Sequence, residues 1–155
     1  MLTLETGAGA GNADSYATRA ELQARASGYG GALPADGDAL DVLLRRAAAQ
    51  MDGLPWAGLR ASPWQALAWP REGVPGVAPD AIPHAIKAAQ CALAIELHAS
   101  DTAPAPRGPV IRERVDVLEV EYAEPVPSQR ALPASAILVA PYLTRRTFGA
   151  VAVRA

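Results

Sequence analysis

Trp64-Gln65-Ala66-Leu67-Ala68-Trp69-Pro70-Arg71 holds two of the chain's three tryptophans. The third, Trp56, lies just upstream in Gly53-Leu54-Pro55-Trp56-Ala57-Gly58. Aromatic residues make up only 5% of the sequence, so this stretch gathers large apolar surface in one place. A Trp side chain buries roughly 200 Å² and needs a partner for its indole N–H. Pro55, Pro63 and Pro70 break any long helix here, since each lacks an N–H and restricts the residue before it. Between Pro63 and Pro70 there is room for about one and a half turns, over residues 64–68. On such a turn Trp64 and Ala68 share one face, and Gln65 and Trp69 the next. Arg71 is placed to stack on an indole ring. Apolar helical patterns flank the stretch on both sides. It therefore reads as a scaffold element on which both helices pack, rather than as a stacking platform.

The upstream helices follow from periodicity and caps. Asp14 or Ser15 is a capping residue for a helix over about 15–27, with Tyr16, Ala20 and Ala24 on one face and Leu22 and Ala26 beside them. Gly28-Tyr29-Gly30-Gly31 ends it. Asp36 or Asp38 opens a second helix, about 38–52, whose Leu40, Leu43, Leu44, Ala47 and Met51, with Leu54 beyond them, form a clean apolar stripe. Arg45 and Arg46 lie off that stripe and read as a solvated face. Residues 2–5 alternate and predict a short strand. Gly7-Ala8-Gly9-Ala10-Gly11-Asn12 faintly resembles a phosphate-cradling loop, but Asn12 replaces the third glycine of GxGxxG and no GK[ST] follows. A flexible turn is expected.

Downstream, residues 73–81 form a loop, and Pro83 suits the first turn of a third helix, about 82–99. Ile82, Ile86, Ala89, Leu93 and Leu97 make its stripe, and Ala85, Ala88, Cys91, Ala92 and Ala94 surround it. A helix apolar nearly all round belongs at the centre of a bundle. Its His84 and His98 are too far apart to share a metal, and both are expected to be structural or exposed. Residues 110–122 alternate as a strand whose phase flips at Val117-Leu118, which predicts a bulge or a change of face. Residues 134–139 suggest a short helix, and the end, 148–153, a strand or tail.

The totals bound the rest. A chain of 155 residues fits one domain, 1–155, with a helical core over about 14–100 and a β excursion and tail over about 107–155. The expected fold is mainly α: a small bundle of three to four helices with an extended β-strand or hairpin excursion and a C-terminal tail. A formal charge of −2 is not the basic footprint usual for nucleic-acid binders. The single cysteine, Cys91, excludes an internal disulfide and a cysteine-based metal cluster. There is no charged-then-apolar N-terminus and no apolar run of about 18 residues, so neither a signal peptide nor a membrane span is expected. No nucleophile–base motif, metal spacing or phosphate loop points to an enzyme, a cofactor or a metal.

The order of motifs resembles a family. It runs from Ala13-Asp14-Ser15-Tyr16, through Leu43-Leu44-Arg45-Arg46-Ala47, Met51-Asp52 and Trp56-Gly58, to Gln65-Ala66-Leu67-Ala68-Trp69-Pro70-Arg71. Ile82-Pro83, Ala85-Ile86 and Ala89-Gln90 follow, then Val115–Tyr122 and Ala140-Pro141-Tyr142-Leu143. The chain is similar to small tailed-phage proteins labelled head–tail adaptor (head completion) or DnaT-like single-stranded-DNA-binding protein. Trp56, Gln65, Trp69, Pro70 and Arg71 carry the most specific part of the likeness. The adaptor label implies a virion protein made in the host bacterial cytoplasm, forming a ring, typically of twelve subunits, between the portal protein and a tail-side connector or tail terminator. DNA would pass through its lumen without sequence-specific binding. Val115, Val117, Leu118, Val120, Tyr122, Tyr142, Phe148, Val151 and Val153 are then the expected subunit or partner contacts. The alternative is a DnaT-like replication accessory module, which needs a basic groove with exposed aromatics. Arg45, Arg46, Arg60, Arg71, Arg112, Arg114, Arg145 and Arg146 are available to it, but the acids balance them, and the adaptor is the main expectation.

Overall fold

The computed structural model describes residues 1–103 and 132–144, together with the backbone of a strand pair at 114–115 and 118–119. Among these residues the chain is mainly helical. Helix α1 spans Arg19–Tyr29, α2 Gly37–Asp52, α3 His84–Thr102 and α4 Ala134–Val139, the last running into a 3-10 turn, Ala140–Tyr142. Strands β1 (Leu59–Arg60) and β2 (Arg71–Glu72) pair antiparallel, as do β3 (Arg114–Val115) and β4 (Leu118–Glu119). Val115 stands opposite Leu118, so the phase change expected as a bulge falls where the chain passes from one strand to its antiparallel partner.

Helix α1 starts later than its apolar pattern suggests. Residues 14–17 are claimed by other partners. Ser15 bridges to Leu4 as a parallel pair, with Glu5 N donating to Ser15 O at 2.8 Å. This bridge stands in place of the short strand expected at 2–5. Thr18 takes the capping role with a reciprocal box: its hydroxyl accepts from Glu21 N at 3.1 Å, and its own N–H donates to Glu21 Oε2 at 2.6 Å. The helix stops at Gly30, whose φ of 71° is the left-handed cap that glycine adopts without strain. Helix α2 is capped by Asp36, which accepts from Ala39 N at 3.0 Å, and it buries Leu40, Leu43, Leu44, Ala47, Ala48 and Met51.

The central place predicted for the third helix is where α3 lies, packed on α1, α2 and α4. Its Ala88, Ala89, Ala92 and Ala94 are buried, and these short side chains let the neighbouring helices approach closely. In their midst sits Gln90, fully enclosed. Its Oε1 accepts from Tyr16 N (2.9 Å) and Ala17 N (3.0 Å). Its Nε2 donates to Ser15 Oγ (2.8 Å) and Leu44 O (2.9 Å). One carboxamide thus satisfies the N–H groups of the pre-helical segment and a carbonyl of α2. A second tie joins α1 to α2: Arg19 forks onto Asp41, a carboxylate only 1% exposed.

The tryptophan stretch forms turns rather than a helix. Trp69 is enclosed, edge-on to Trp56 (centroids 5.8 Å apart) and to Tyr142 (5.6 Å). Trp56 donates its indole N–H to Met51 O at 2.9 Å, whereas Trp69 Nε1 has no partner among the described residues. Gln65 is buried and holds the loop from within. It accepts from Ser62 N (2.9 Å) and donates to Leu67 O (2.8 Å) and Pro70 O (3.1 Å). Arg71 does not stack on an indole as expected. Its guanidinium donates instead to Ala57 O (2.7 Å), Gly58 O (2.7 Å) and Ala68 O (3.0 Å), carbonyls that the irregular backbone leaves in need of a donor. Trp64 also departs from expectation: it is 83% exposed while Ala68 is buried, so the two share no face. Helix α4 returns the chain to this core, with Glu96 of α3 accepting from Ser135 N (3.0 Å). The chain then pairs Trp56 with Leu143.

Two stability predictions follow from these ties. Gln90→Leu keeps the volume but leaves the Tyr16 N–H without its acceptor in the core and removes one partner each from Ala17 N, Ser15 Oγ and Leu44 O. It is expected to cost roughly 3 kcal/mol or more, read as a lower urea midpoint with unchanged slope. The second concerns Asp41. The Arg19 fork, acting against burial, holds its carboxyl well below the ordinary 3.8. A depressed carboxylate contributes stability that is complete above its unfolded pKa and lost as pH falls below about 4. The stability gap between wild type and Asp41→Asn should therefore be largest at neutral pH and shrink by pH 3. Asp52 acts in the opposite sense, because burial raises its pKa and protonation then favours the fold. An equal gap at both pH values would refute the Asp41 assignment.

Candidate nucleic-acid interface

Three of the arginines on the described surface are engaged by acids. Arg19 holds Asp41 and reaches Asp38 (3.2 Å), Arg45 holds Asp14 (2.7 Å), and Arg46 holds Asp101. The adjacent Arg45 and Arg46 therefore point to separate acids, and neither offers an uncompensated charge to a phosphate. The Arg46 hydrogen bond draws the Asp101 carboxyl below its ordinary value. The Arg45–Asp14 and Arg46–Asp101 pairs are partly exposed and add little to stability, but they neutralise the α2 face locally.

The glycine loop proves to be an anion cradle that the chain fills itself. The Glu5 carboxylate, 1% exposed, accepts from Gly7 N (2.8 Å), Gly9 N (3.0 Å) and Ala10 N (2.7 Å). Successive N–H groups converging on one anion are what a phosphate site requires. Here the anion is internal, so the loop is pinned rather than flexible. Gly7, at φ 109°, packs so near the Asp80 carbonyl that a Cβ would lie 1.8 Å from it. The resemblance to a phosphate loop thus has a physical basis and no vacancy.

A different arrangement occurs between α1 and α3. Glu21, Ala24, Arg25 and Tyr29 of α1 face His84, Lys87, Ala88 and Cys91 of α3 across an open groove of about 340 Å³. The spacings explain the shared faces: 21, 25 and 29 recur every four residues on α1, and 84, 87, 88 and 91 lie on one side of α3. The Arg25 guanidinium lies 4.7 Å from the centroid of the Tyr29 ring, and Tyr29 is 77% exposed. Among the described residues Arg25, Lys87 and His84 form no ion pair. The groove's one carboxylate, Glu21, is committed to Thr18, accepting from its N–H and from its hydroxyl (2.9 Å). Burial pushes the Glu21 carboxyl up. The Thr18 hydrogen bonds and the charges of Lys87 and His84 outweigh it and leave the pKa lowered. Cys91 lies at the floor, its thiol pushed up to about 12 by burial, and so stays protonated and unreactive at neutral pH. The groove therefore presents cations and an exposed aromatic ring above an inert floor.

The residues singled out from sequence are distributed differently. Trp56, Gln65, Trp69, Pro70 and Arg71 converge in the core around the β1–β2 turn. Tyr142 packs its ring on Trp69 of its own chain. Val115 and Leu118 belong to the β3–β4 pair, and Val117, Val120, Tyr122, Phe148, Val151 and Val153 lie outside the described residues, as do Arg112, Arg145 and Arg146. Arg25, Tyr29 and Lys87 were not singled out from sequence, although the Arg25–Tyr29 spacing of four on a helix is a readable signal. His84 is exposed, and it gains significance only from the α1 side chains opposite it. Among the described residues no group of three His, Cys, Asp or Glu is placed to hold a metal ion, and no helix is long and apolar enough to cross a membrane.

Residues 1–155 fit the model of the family described as "Putative DnaT-like ssDNA binding protein". No curated protein and no solved structure matches the chain.

Proposed function

The chain belongs to this DnaT-like family, and from that membership we propose that it binds single-stranded DNA without catalysis, using the α1–α3 groove. The observation that carries the reading is the conjunction of Arg25, Lys87 and His84, free of ion pairs among the described residues, with the exposed Tyr29 ring. Flexible single strands are held by this combination: cations track the phosphates while an aromatic face stacks a base, at roughly 1–3 kcal/mol per base. The site is small and the net charge is −2, so affinity is expected in the micromolar range and strongly salt-dependent.

The head–tail adaptor remains as a second reading, with its ring, portal and tail-side partners and its place in the virion. What favours it is apolar surface: Val42, Leu132 and Ile137 are exposed, and such side chains suit a covered interface. The DNA-binding reading stands first because the family description names single-stranded DNA, and because the cations of the groove escape the neutralisation met on α2.

Fluorescence anisotropy with a labelled oligothymidylate separates the two. Wild type is expected to bind at low salt, and Arg25→Glu with Lys87→Glu to weaken binding at least tenfold. Arg46→Glu, whose charge is already spent on Asp101, should change it less than threefold. No binding by wild type, together with a ring-sized mass in light scattering, would transfer the case to the adaptor.

A further inference from the structure

The β1–β2 hairpin carries a second feature that the groove does not use. Of the three tryptophans, Trp56 and Trp69 are buried and Trp64 alone stands out, 83% exposed. Its loop is stiff. Trp64 N donates to Ser62 Oγ (3.2 Å), Gln65 fixes both flanks from within, and Ala66 N donates to Ala10 O (3.0 Å). The Trp64 carbonyl packs over Gly11, where a Cβ would lie only 3.0 Å away. The indole is therefore presented by a braced turn, which lowers the entropy lost when a ligand stacks on it.

Charge gathers beside it. Arg60 stands opposite Arg71 in the two-residue ladder, and like charges directly opposite are unfavourable. Arg71 is spent on carbonyl oxygens, which solvate its charge but do not cancel it. Arg60 is exposed, donates to Gln65 O (3.3 Å) and has no ion pair among the described residues. The nearby acids are Glu72, paired across from Leu59, and Asp52, whose half-buried carboxylate is tied to Ala68 N (2.7 Å) and Tyr16 Oη. An exposed indole next to a guanidinium that forms no ion pair among the described residues fits a nucleobase and its phosphate better than it fits an aliphatic protein surface.

We propose that Trp64 with Arg60 is a second single-stranded-DNA contact, in which the indole stacks one base and Arg60 meets the adjoining phosphate. This rests on the single-stranded-DNA reading and extends it from one groove to two separate contacts on one strand.

The test uses the full chain and two probes of equal length, oligothymidylate and an abasic deoxyribose-phosphate oligomer. Trp64→Ala should weaken oligothymidylate binding roughly tenfold and leave the abasic oligomer unchanged, while Trp64→Phe restores most of the affinity. Saturating oligothymidylate should also quench the exposed-indole emission of wild type, and this quenching should vanish in Trp64→Ala. Three results overturn the proposal: unchanged oligothymidylate affinity in Trp64→Ala, equal loss for both probes, or a drop in oligomer mass on the substitution, which would make Trp64 a protein contact. If the groove variant Arg25→Glu/Lys87→Glu still weakens binding, only the Trp64 contact is refuted. If wild type binds neither probe, the parent reading falls with it.

Discussion

The fold depends on one buried carboxamide. Gln90 sits on the central helix, and each of its four hydrogen-bonding positions is used, two for the N–H groups of Tyr16 and Ala17 and two for Ser15 Oγ and Leu44 O. An amide in an alanine-lined core would be unfavourable if any of these were missing. Fully satisfied, it fixes where α1 begins, how α2 lies against α3, and how the N-terminal segment crosses both. The apolar stripes bring the helices together, but what α3 buries is mostly alanine, and small side chains tolerate sliding. The amide supplies the register.

The same device recurs where the chain is least regular. Glu5 gathers the N–H groups of the glycine loop, Gln65 gathers the Trp64–Pro70 turn, and Arg71 gathers two carbonyls ahead of β1 and that of Ala68. In each case a buried polar side chain does for an irregular backbone what a helix or sheet would do for a regular one. This is how a chain with 14 prolines and 13 glycines keeps its long connections ordered. It also explains the division of the arginines. Arg71 is consumed by the fold, and Arg19, Arg45 and Arg46 by acids. Arg25, Arg60 and Lys87 lie at the surface without such ties among the described residues.

Much of this architecture was legible in the chain. The Leu40–Met51 stripe, a cap at Asp36 or Asp38, of which the structure uses Asp36, the all-round apolar character of α3 and the Ala134–Val139 helix follow from period and composition. The later start of α1 was partly legible, since Thr18-Arg19-Ala20-Glu21 is a capping-box pattern, but Tyr16 and Ala20 suggested an earlier start. What keeps residues 14–17 out of the helix is a glutamine 74 positions away from Tyr16, and no local pattern carries that. The exposure of Trp64 was illegible for a related reason. Residues 64–68 lack the helical turn that would have put Trp64 beside Ala68, and the backbone there is held by Gln65 instead. The groove escaped notice because its cations come from two helices, and net charge averages over the acids that neutralise other faces.

The functional account therefore turns on local charge rather than on the chain's overall balance of −2. A balanced chain still holds a strand of DNA where a few cations keep their charge and an aromatic face stands beside them. The measurement that bears on this most directly is the salt dependence of oligothymidylate affinity for the wild-type chain. Two or three phosphates neutralised on single-stranded DNA give a slope of log K against log salt of about −1.4 to −2.1. A slope in that range is the predicted result. A flat slope, or no binding even at low salt, would contradict the account.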